Sequence, residues 1–292
     1  MISRDTSADR GGDDGQISTD RVCKNNQFLR IERELRKHSM SPGKWGVLCH
    51  SNEMKLLILS DIHGNWPALD AVIQAESSWD EVAFCGDVVD YGPHPSQCLR
   101  WVAEHAEHRV RGNHDNAVGF FDDCQCMGTF RTYSNITRSW HQGLINTSDR
   151  KFLCSLPTLD SFEWQGRHFG MAHATPQGEM FEYLAMNQWE ERVKGLEEDF
   201  LLLGHTHIQG IRSFGKLTVV NPGSVGLARD GGGQAYYAVY DGSEMLLKRD
   251  PYDVDRTLRD LRSGPLPQHV IDGLTEVLSP KRLADAGEVP AD

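Results

Sequence analysis

The stretch from Lys55 to Asn65 reads KLLILSDIHGN, an apolar run from Leu56 to Leu59 that breaks off into Asp61, Ile62, His63 and Gly64. A short continuous apolar run of this kind marks a strand buried on both faces of an open α/β sheet. The carboxyl ends of such strands face the crevice where ligands bind, so a carboxylate and an imidazole two residues apart can both reach one bound ion. The pattern then repeats. After a helix expected over Pro67 to Ser77, with Leu69, Val72 and Ile73 at helical spacing, Val82 to Cys85 forms a second apolar strand. That strand exits into Gly86, Asp87, Val88, Val89, Asp90, Tyr91 and Gly92. A further helix around Ser96 to Glu104 leads to a strand edge at Arg109 to Arg111, which exits into Gly112, Asn113, His114 and Asp115. Three successive βα units ending in oxygen or nitrogen donors are hard to credit to chance, and the glycines beside them let backbone approach a bound group closely.

The rest of the chain continues in this manner. Asn116 to Leu156 reads as helical, with Ile136, Trp140, Leu144 and Ile145 on one face, and stops at Pro157. Thr158 to Trp164 and His168 to Ala172 make a hairpin whose second strand ends in His173. A helix from Asn187 to Leu196 leads to the apolar strand Phe200 to Leu203, which exits into Gly204, His205, Thr206 and His207. Two more hairpins follow, the first running into Asn221, Pro222, Gly223, Ser224, Val225 and Gly226, and the chain closes with short helices at Asp253 to Leu261 and Val270 to Leu278. Residues 1–53 differ: DRGGDDGQ and SPGKWG are polar and glycine-rich, so they read as a disordered extension before a domain at 54–250 and a helical tail at 251–292.

Composition narrows the function. A net charge of -12 argues against generic nucleic-acid binding, which needs clustered Lys and Arg. With no long apolar run and no apolar signal core at the N-terminus, the expectation is a cytoplasmic protein that does not enter a membrane. Seven scattered cysteines with no CxxC argue against a disulfide framework and a zinc ribbon; Cys124 and Cys126, the one close pair, could hold a metal or form a redox pair, but with no second pair beside them they read as incidental thiols.

Taken in order, DIH, GDVVD, GNHD, the lone His173 and GHTH make the chain resemble the calcineurin-like metallophosphoesterases over residues 54–250. The resemblance implies an α/β fold, a four-layer α/β/β/α sandwich with the site between two sheets. It also implies two divalent ions, manganese, iron, zinc or nickel. Asp61, His63, Asp87 and His207 would surround the first, and Asp87, Asn113, His173 and His205 the second, with Asp87 bridging. These donors are oxygen and imidazole nitrogen only, a hard-to-borderline set, and seven exceed the needs of one ion. A bridged pair of ions can activate a water and clamp a phosphoryl group, so the implied reaction is hydrolysis of a phosphodiester, a phosphomonoester or a nucleotide pyrophosphate in a small phosphorylated substrate. By the same resemblance His114 assists the transition state or protonates the leaving oxygen, and Asp115 is expected to orient it. Asp90 is expected to act through a ligand histidine, and Arg111 and Arg229 to meet phosphate oxygens. Tyr91 and Asp115 depart from the phosphoprotein phosphatases, which carry Arg and Glu there; GDVVDYGP, GNHD and NPGSVG look more like the small prokaryotic phosphodiesterase branch. Two non-enzymatic readings stand beside this one, a metal-binding scaffold and a nucleotide sensor. Loss of His114 or of several donors would mark the scaffold, and none is lost; the sensor would bind without turnover, which a hydrolysis assay separates.

Overall fold

The computed structural model describes residues 54–229 and 232–280. In chain order its first half contains β1 (Leu56–Leu59), α1 (Trp66–Ala75), β2 (Glu81–Phe84), α2 (Pro95–His105), β3 (His108–Arg109), α3 (Asn113–Phe120), α4 (Gly128–Leu144) and α5 (Thr147–Ser155). There follow β4 (Leu159–Trp164), β5 (Arg167–Ala172), α6 (Trp189–Arg192), β6 (Phe200–Leu202), β7 (Gly210–Phe214), β8 (Leu217–Asn221), β9 (Gln234–Tyr240), β10 (Met245–Pro251), α7 (Val254–Ser263) and α8 (Gln268–Leu278).

β1 is the middle strand of a sheet ordered β10-β9-β1-β2-β3, parallel to β2 and antiparallel to β9. The second sheet is ordered β4-β5-β6-β8-β7, with β5, β6 and β8 parallel and a hairpin partner on each edge. Leu56, Ile58 and Ala83 of the first sheet pack against Phe169, Met171, Leu202 and Val220 of the second. The alternate residues Leu57, Leu59, Val82 and Phe84 face Leu69 and Val72 of α1, Leu99 and Val102 of α2 and Leu153 of α5. Covering on both sides is why β1 is apolar at every position rather than at every second one. On the outer face of the second sheet Leu201, Leu203 and Val219 meet Leu184, Trp189 and Val193. Helix, sheet, sheet and helix give the four layers expected.

That last layer is thinner than the sequence suggests. The helix expected over Asn187 to Leu196 is a 3₁₀ turn, Met186–Gln188, followed by the single turn of α6. Gly195, at φ 85°, takes the left-handed conformation that ends helices, and the Leu196 N–H turns back to Val193 O. The strand edge expected at Arg109 to Arg111 is shorter too: Val110 still donates to Phe84 O, but Arg111 N–H turns away to Pro157 O. The C-terminal helices α7 and α8 cluster with Tyr91, Leu227 and the α4 side chains Phe130, Ile136 and Trp140. They thereby border the loops at the strand exits. The extension expected at 1–53 and the last residues, 281–292, lie outside the described residues. No helix among the described residues is long and apolar enough to cross a membrane.

Candidate metal centre

Every strand exit that the sequence singles out converges on one buried point. Asp61, His63, Asp87, Asn113, His173, His205 and His207 are each 3% exposed or less. Five of them arrive on strained backbone, with two neighbours: Asp61, His63, Asp87, His205 and His207, and Asp90 and Tyr91 beside them, all have φ between 49° and 75°, a region that costs a side-chain-bearing residue of order 1–3 kcal/mol. Only three other described residues with side chains, Phe121, Gln125 and Gln165, do the same. Strain concentrated at one point is what a functional site retains when the surroundings hold it in place. Gly112 makes room for the crowding, since a Cβ there would lie 1.9 Å from Asp87 Oδ1. The NPGSVG turn closes the site from the far side: Ser224 Oγ and the Gly226 N–H both donate to Asp61 O, and Asn221 Nδ2 donates to Gly204 O at 2.6 Å.

The histidine tautomers follow from their outer contacts. His63 Nδ1 donates to Val89 O at 2.9 Å, His173 Nδ1 to Cys85 O at 2.8 Å and His207 Nδ1 to Leu227 O at 2.7 Å. A carbonyl only accepts, so each ring carries its proton outward and turns Nε2 to the centre. There His63 Nε2 and His207 Nε2 stand 3.1 Å apart, and His207 Nε2 is 3.1 Å from Asp61 Oδ1. On the other side His173 Nε2 lies 3.1 Å from both Asp87 Oδ2 and Asn113 Oδ1. Asn113 is oriented by its amide, which donates to Cys124 O at 2.8 Å and leaves Oδ1 facing inward. The second oxygen of each carboxylate is satisfied: Asp61 Oδ2 accepts from Ser60 Oγ and the His205 N–H, and Asp87 Oδ1 from the His114 N–H. Asp61 Oδ1, Asp87 Oδ2 and His205 Nε2 are buried without any hydrogen-bond partner.

Buried lone pairs aimed at one another cost free energy unless something positive lies between them. Asp61, His63 and His207 each place a donor atom within 4.8 Å of the others, and so do Asp87, His173 and His205. Burial, then repulsion from His207 and His114, pushes His63 down to about 3. Burial likewise lowers His205, helped by His173, and lowers His207 against the pull of Asp61. Neutral imidazole is the form that binds a metal. His173 goes the other way, to about 9, because Asp87 outweighs its burial. Asp61 is held below the usual carboxylate range, with His207 overcoming a burial that would raise it. The donor set, the lowered His63, His205 and His207 and the unpartnered atoms fit divalent cations, and a cation beside Asp87 would displace the proton that Asp87 favours on His173.

Beside this centre lies His114, and here two expectations are corrected. Asp115 does not orient it: its carboxylate accepts from the Asp87, Val88 and Gly112 N–H groups at 2.7, 2.8 and 3.1 Å, tying two site loops together. Asp90 does, accepting from His114 Nδ1 at 2.7 Å, so it acts on His114 itself rather than through a donor histidine. Asp90 is in turn held by Ser134 Oγ, Thr137 Oγ1 and the Tyr91 N–H. His141 completes the cradle, accepting from the Asp90 N–H and donating to Gly92 O. Burial works to raise the Asp90 carboxyl, but His114 outweighs it and brings the group to about 2. His114 is raised to about 9, its burial outweighed by Asp87 and Asp90. Ser134, Thr137 and His141 all come from α4 and were not singled out in the sequence; their spacing on one helical face was the available signal. Arg111 is turned to Cys154 O and lies over the Phe120 ring, not toward the donors. Arg229 lies over Phe130 and Tyr183, and the Tyr183 ring is 4.2 Å from that of His205, which places this arginine at the rim.

The cysteine pair is also closer to the site than its sequence context suggests. Cys126 Sγ is 3.2 Å from His114 Nε2, and Cys124 Sγ is 2.7 Å from Cys126 Sγ. The hydrogen bond from Cys126, stronger than the opposing burial, brings Cys124 down to about 6.

Residues 54–245 match the family model of the calcineurin-like phosphoesterase superfamily domain. Over 233 residues the chain is 29% identical to the uncharacterised protein MJ0912 of Methanocaldococcus jannaschii, spanning 73% of this chain and 94% of that protein. Over 204 residues it is 29% identical to the phosphodiesterase YfcE of Escherichia coli, spanning 66% and 90%. A metallophosphoesterase from Sphaerobacter thermophilus superposes with a TM-score of 0.65 at 25% identity, covering 77% of this chain and 99% of its own. PH1004 from Pyrococcus horikoshii OT3 shares the fold, with a TM-score of 0.63 at 18% identity over 76% and 97%. With the family model spanning every strand exit that feeds the centre, the chain belongs to the calcineurin-like phosphoesterase superfamily.

Proposed function

We propose that this protein is a dinuclear metal-dependent phosphoesterase. Asp61, His63, Asp87 and His207 would hold one divalent ion and Asp87, Asn113, His173 and His205 the other. The observation that carries this reading is the convergence of His63 Nε2, His207 Nε2 and the unpartnered Asp61 Oδ1 within 3.8 Å of each other, with Asp87 Oδ2 unpartnered opposite them. Manganese, iron, zinc and nickel all accept such donors. Bound there, a pair of ions supplies a nucleophilic water at neutral pH and positive charge for the phosphoryl transition state.

The chain's own residues supply the proton and the positioning. Asp90 fixes the His114 ring through Nδ1, so Nε2 is the atom that can hand a proton to the departing oxygen. Asp115 holds the Asp87 and Asn113 loops in register by accepting from both backbones. Arg229 sits at the rim, where a guanidinium can meet phosphate oxygens. The named activity of YfcE puts phosphodiesters first among small phosphorylated substrates in the cytoplasm, ahead of phosphomonoesters and nucleotide pyrophosphates.

The intact His114–Asp90 pair favours an enzyme over a scaffold or a sensor, since neither needs an oriented proton donor. Purified protein reconstituted with manganese should hydrolyse a phosphodiester, and a chelator should abolish the turnover. Metal-loaded protein that leaves phosphodiesters, phosphomonoesters and dinucleoside polyphosphates all intact would return the reading to a metal-binding scaffold or nucleotide sensor.

A further inference from the structure

Cys124 and Cys126 lie in the loop between α3 and α4, and both side chains are 1% exposed although Gln125 and Met127 beside them face solvent. Gln125, at φ 55°, bends the chain between them and brings the two sulfurs to 2.7 Å. That separation bears on two chemistries. Two sulfur ligands at about 2.3 Å from one tetrahedral zinc ion stand roughly 3.8 Å apart, whereas bonded sulfurs stand at about 2.0 Å. At 2.7 Å the pair lies nearer the bonded separation, although His114, Cys124 and Cys126 also bring three ligand atoms within 4.8 Å of one another. Both partners touch the catalytic side of the centre: Cys126 Sγ lies against His114 Nε2 and accepts from Tyr91 OH, and the Cys124 carbonyl holds the Asn113 amide.

We propose that Cys124 and Cys126 are an oxidative modification site, forming a reversible disulfide that slows the enzyme. With hydrogen peroxide as oxidant, one thiol sulfur attacks the peroxide oxygen to give a sulfenic acid and releases water. The second thiol then displaces hydroxide from that sulfur, which leaves as a second water once protonated. The two thiols lose two protons and two electrons in all, and the peroxide is reduced to two waters. A dithiol reductant reverses the change by exchange. Closing the bond draws Cys126 from His114 and pulls on the carbonyl that orients Asn113. The loss of turnover rests on the proposed phosphoesterase function, while formation of the bond does not.

The test is peroxide treatment of the metal-loaded full chain, followed by alkylation and tryptic mass mapping alongside a turnover assay. Trypsin releases residues 112–131 as one peptide holding only these two cysteines. That peptide should lose the mass of two hydrogens and cease to alkylate, and turnover should fall by roughly 10²-fold, the scale of an active-site displacement of about 1 Å. Dithiothreitol should restore both. Measured against its own reduced form, Cys124→Ser should lose little turnover to peroxide. The proposal is overturned if both thiols still alkylate, if the bond forms with turnover unchanged, or if Cys124→Ser is inactivated equally. Uptake of a zinc ion by the reduced pair with no loss of hydrogens under peroxide would also overturn it. A reduced, metal-loaded protein with no turnover at all would instead fail the phosphoesterase reading, and the mass measurement would still judge the disulfide.

Discussion

His114 differs from the seven donors around it in that its side chain is held by a carboxylate, and this sets what its replacement does. Its backbone N–H holds Asp87 Oδ1, a bond that the substitution His114→Asn retains. Metal content should therefore stay as it was while hydrolysis slows by roughly 10²–10⁴-fold, the scale of general acid–base catalysis. The loss should be smaller for an aryl ester, which departs without a proton, than for an alkyl ester; equal losses would leave His114 as an electrostatic clamp, and lost metal would make it a ligand. Asp90→Asn keeps the shape of the cradle but removes the charge that Ser134, Thr137 and the Tyr91 N–H converge on. Turnover should fall by about 10–100-fold, the usual cost of losing an orienting partner, with KM little changed. Unchanged kcat in Asp90→Asn would refute its positioning role. The convergence of these seven residues was legible in the sequence because each follows a strand in a recognisable motif. The partner of His114 was not, because Asp115 is adjacent in the chain and Asp90 is adjacent only in space.

The exits of β1, β2, β6 and β8 matter more than the strands themselves, since each must place a donor or a closing turn within one small volume. Gly226 shows how tight the fit is: a Cβ there would lie 1.8 Å from Ile62 O, and its own N–H and carbonyl hold Asp61 O and the Asn65 amide. Gly226→Ala should push the β1 exit loop outward, cost about 1–3 kcal/mol of stability as overpacking does, and weaken metal binding. Thermal unfolding beside metal analysis checks this, and an unshifted midpoint with full metal content would contradict it. Strand positions were readable because burial on both faces writes an unbroken apolar run. The short α6 was not, because a lone Gly195 within a helical pattern does not reveal the sign of its φ. The left-handed backbone at Asp61, His63, Asp87, His205 and His207 is equally silent in sequence, because it is imposed by the packing of neighbouring loops rather than by the residues themselves.

On the scale of the whole molecule, two sheets face each other, and the loops at the exits of their parallel strands meet at one shared point. The match to the family begins at residue 54, next to β1, and all seven donors lie beyond it. We expect a chain started at Met54 to fold and to turn over substrate at essentially the full rate, as judged by its unfolding midpoint and kcat; an insoluble or inactive product would show that the preceding residues belong to the fold. On the reading proposed above, one enclosed cluster with Asp87 at its middle holds two ions and hydrolyses a phosphoester only when both are present. The direct measurement is a titration of metal-stripped protein with manganese, following bound metal per chain and phosphodiester hydrolysis in the same samples. Turnover should rise steeply with the second equivalent and level off at two ions per chain. Full activity at one ion, or two bound ions with no hydrolysis, would contradict the account.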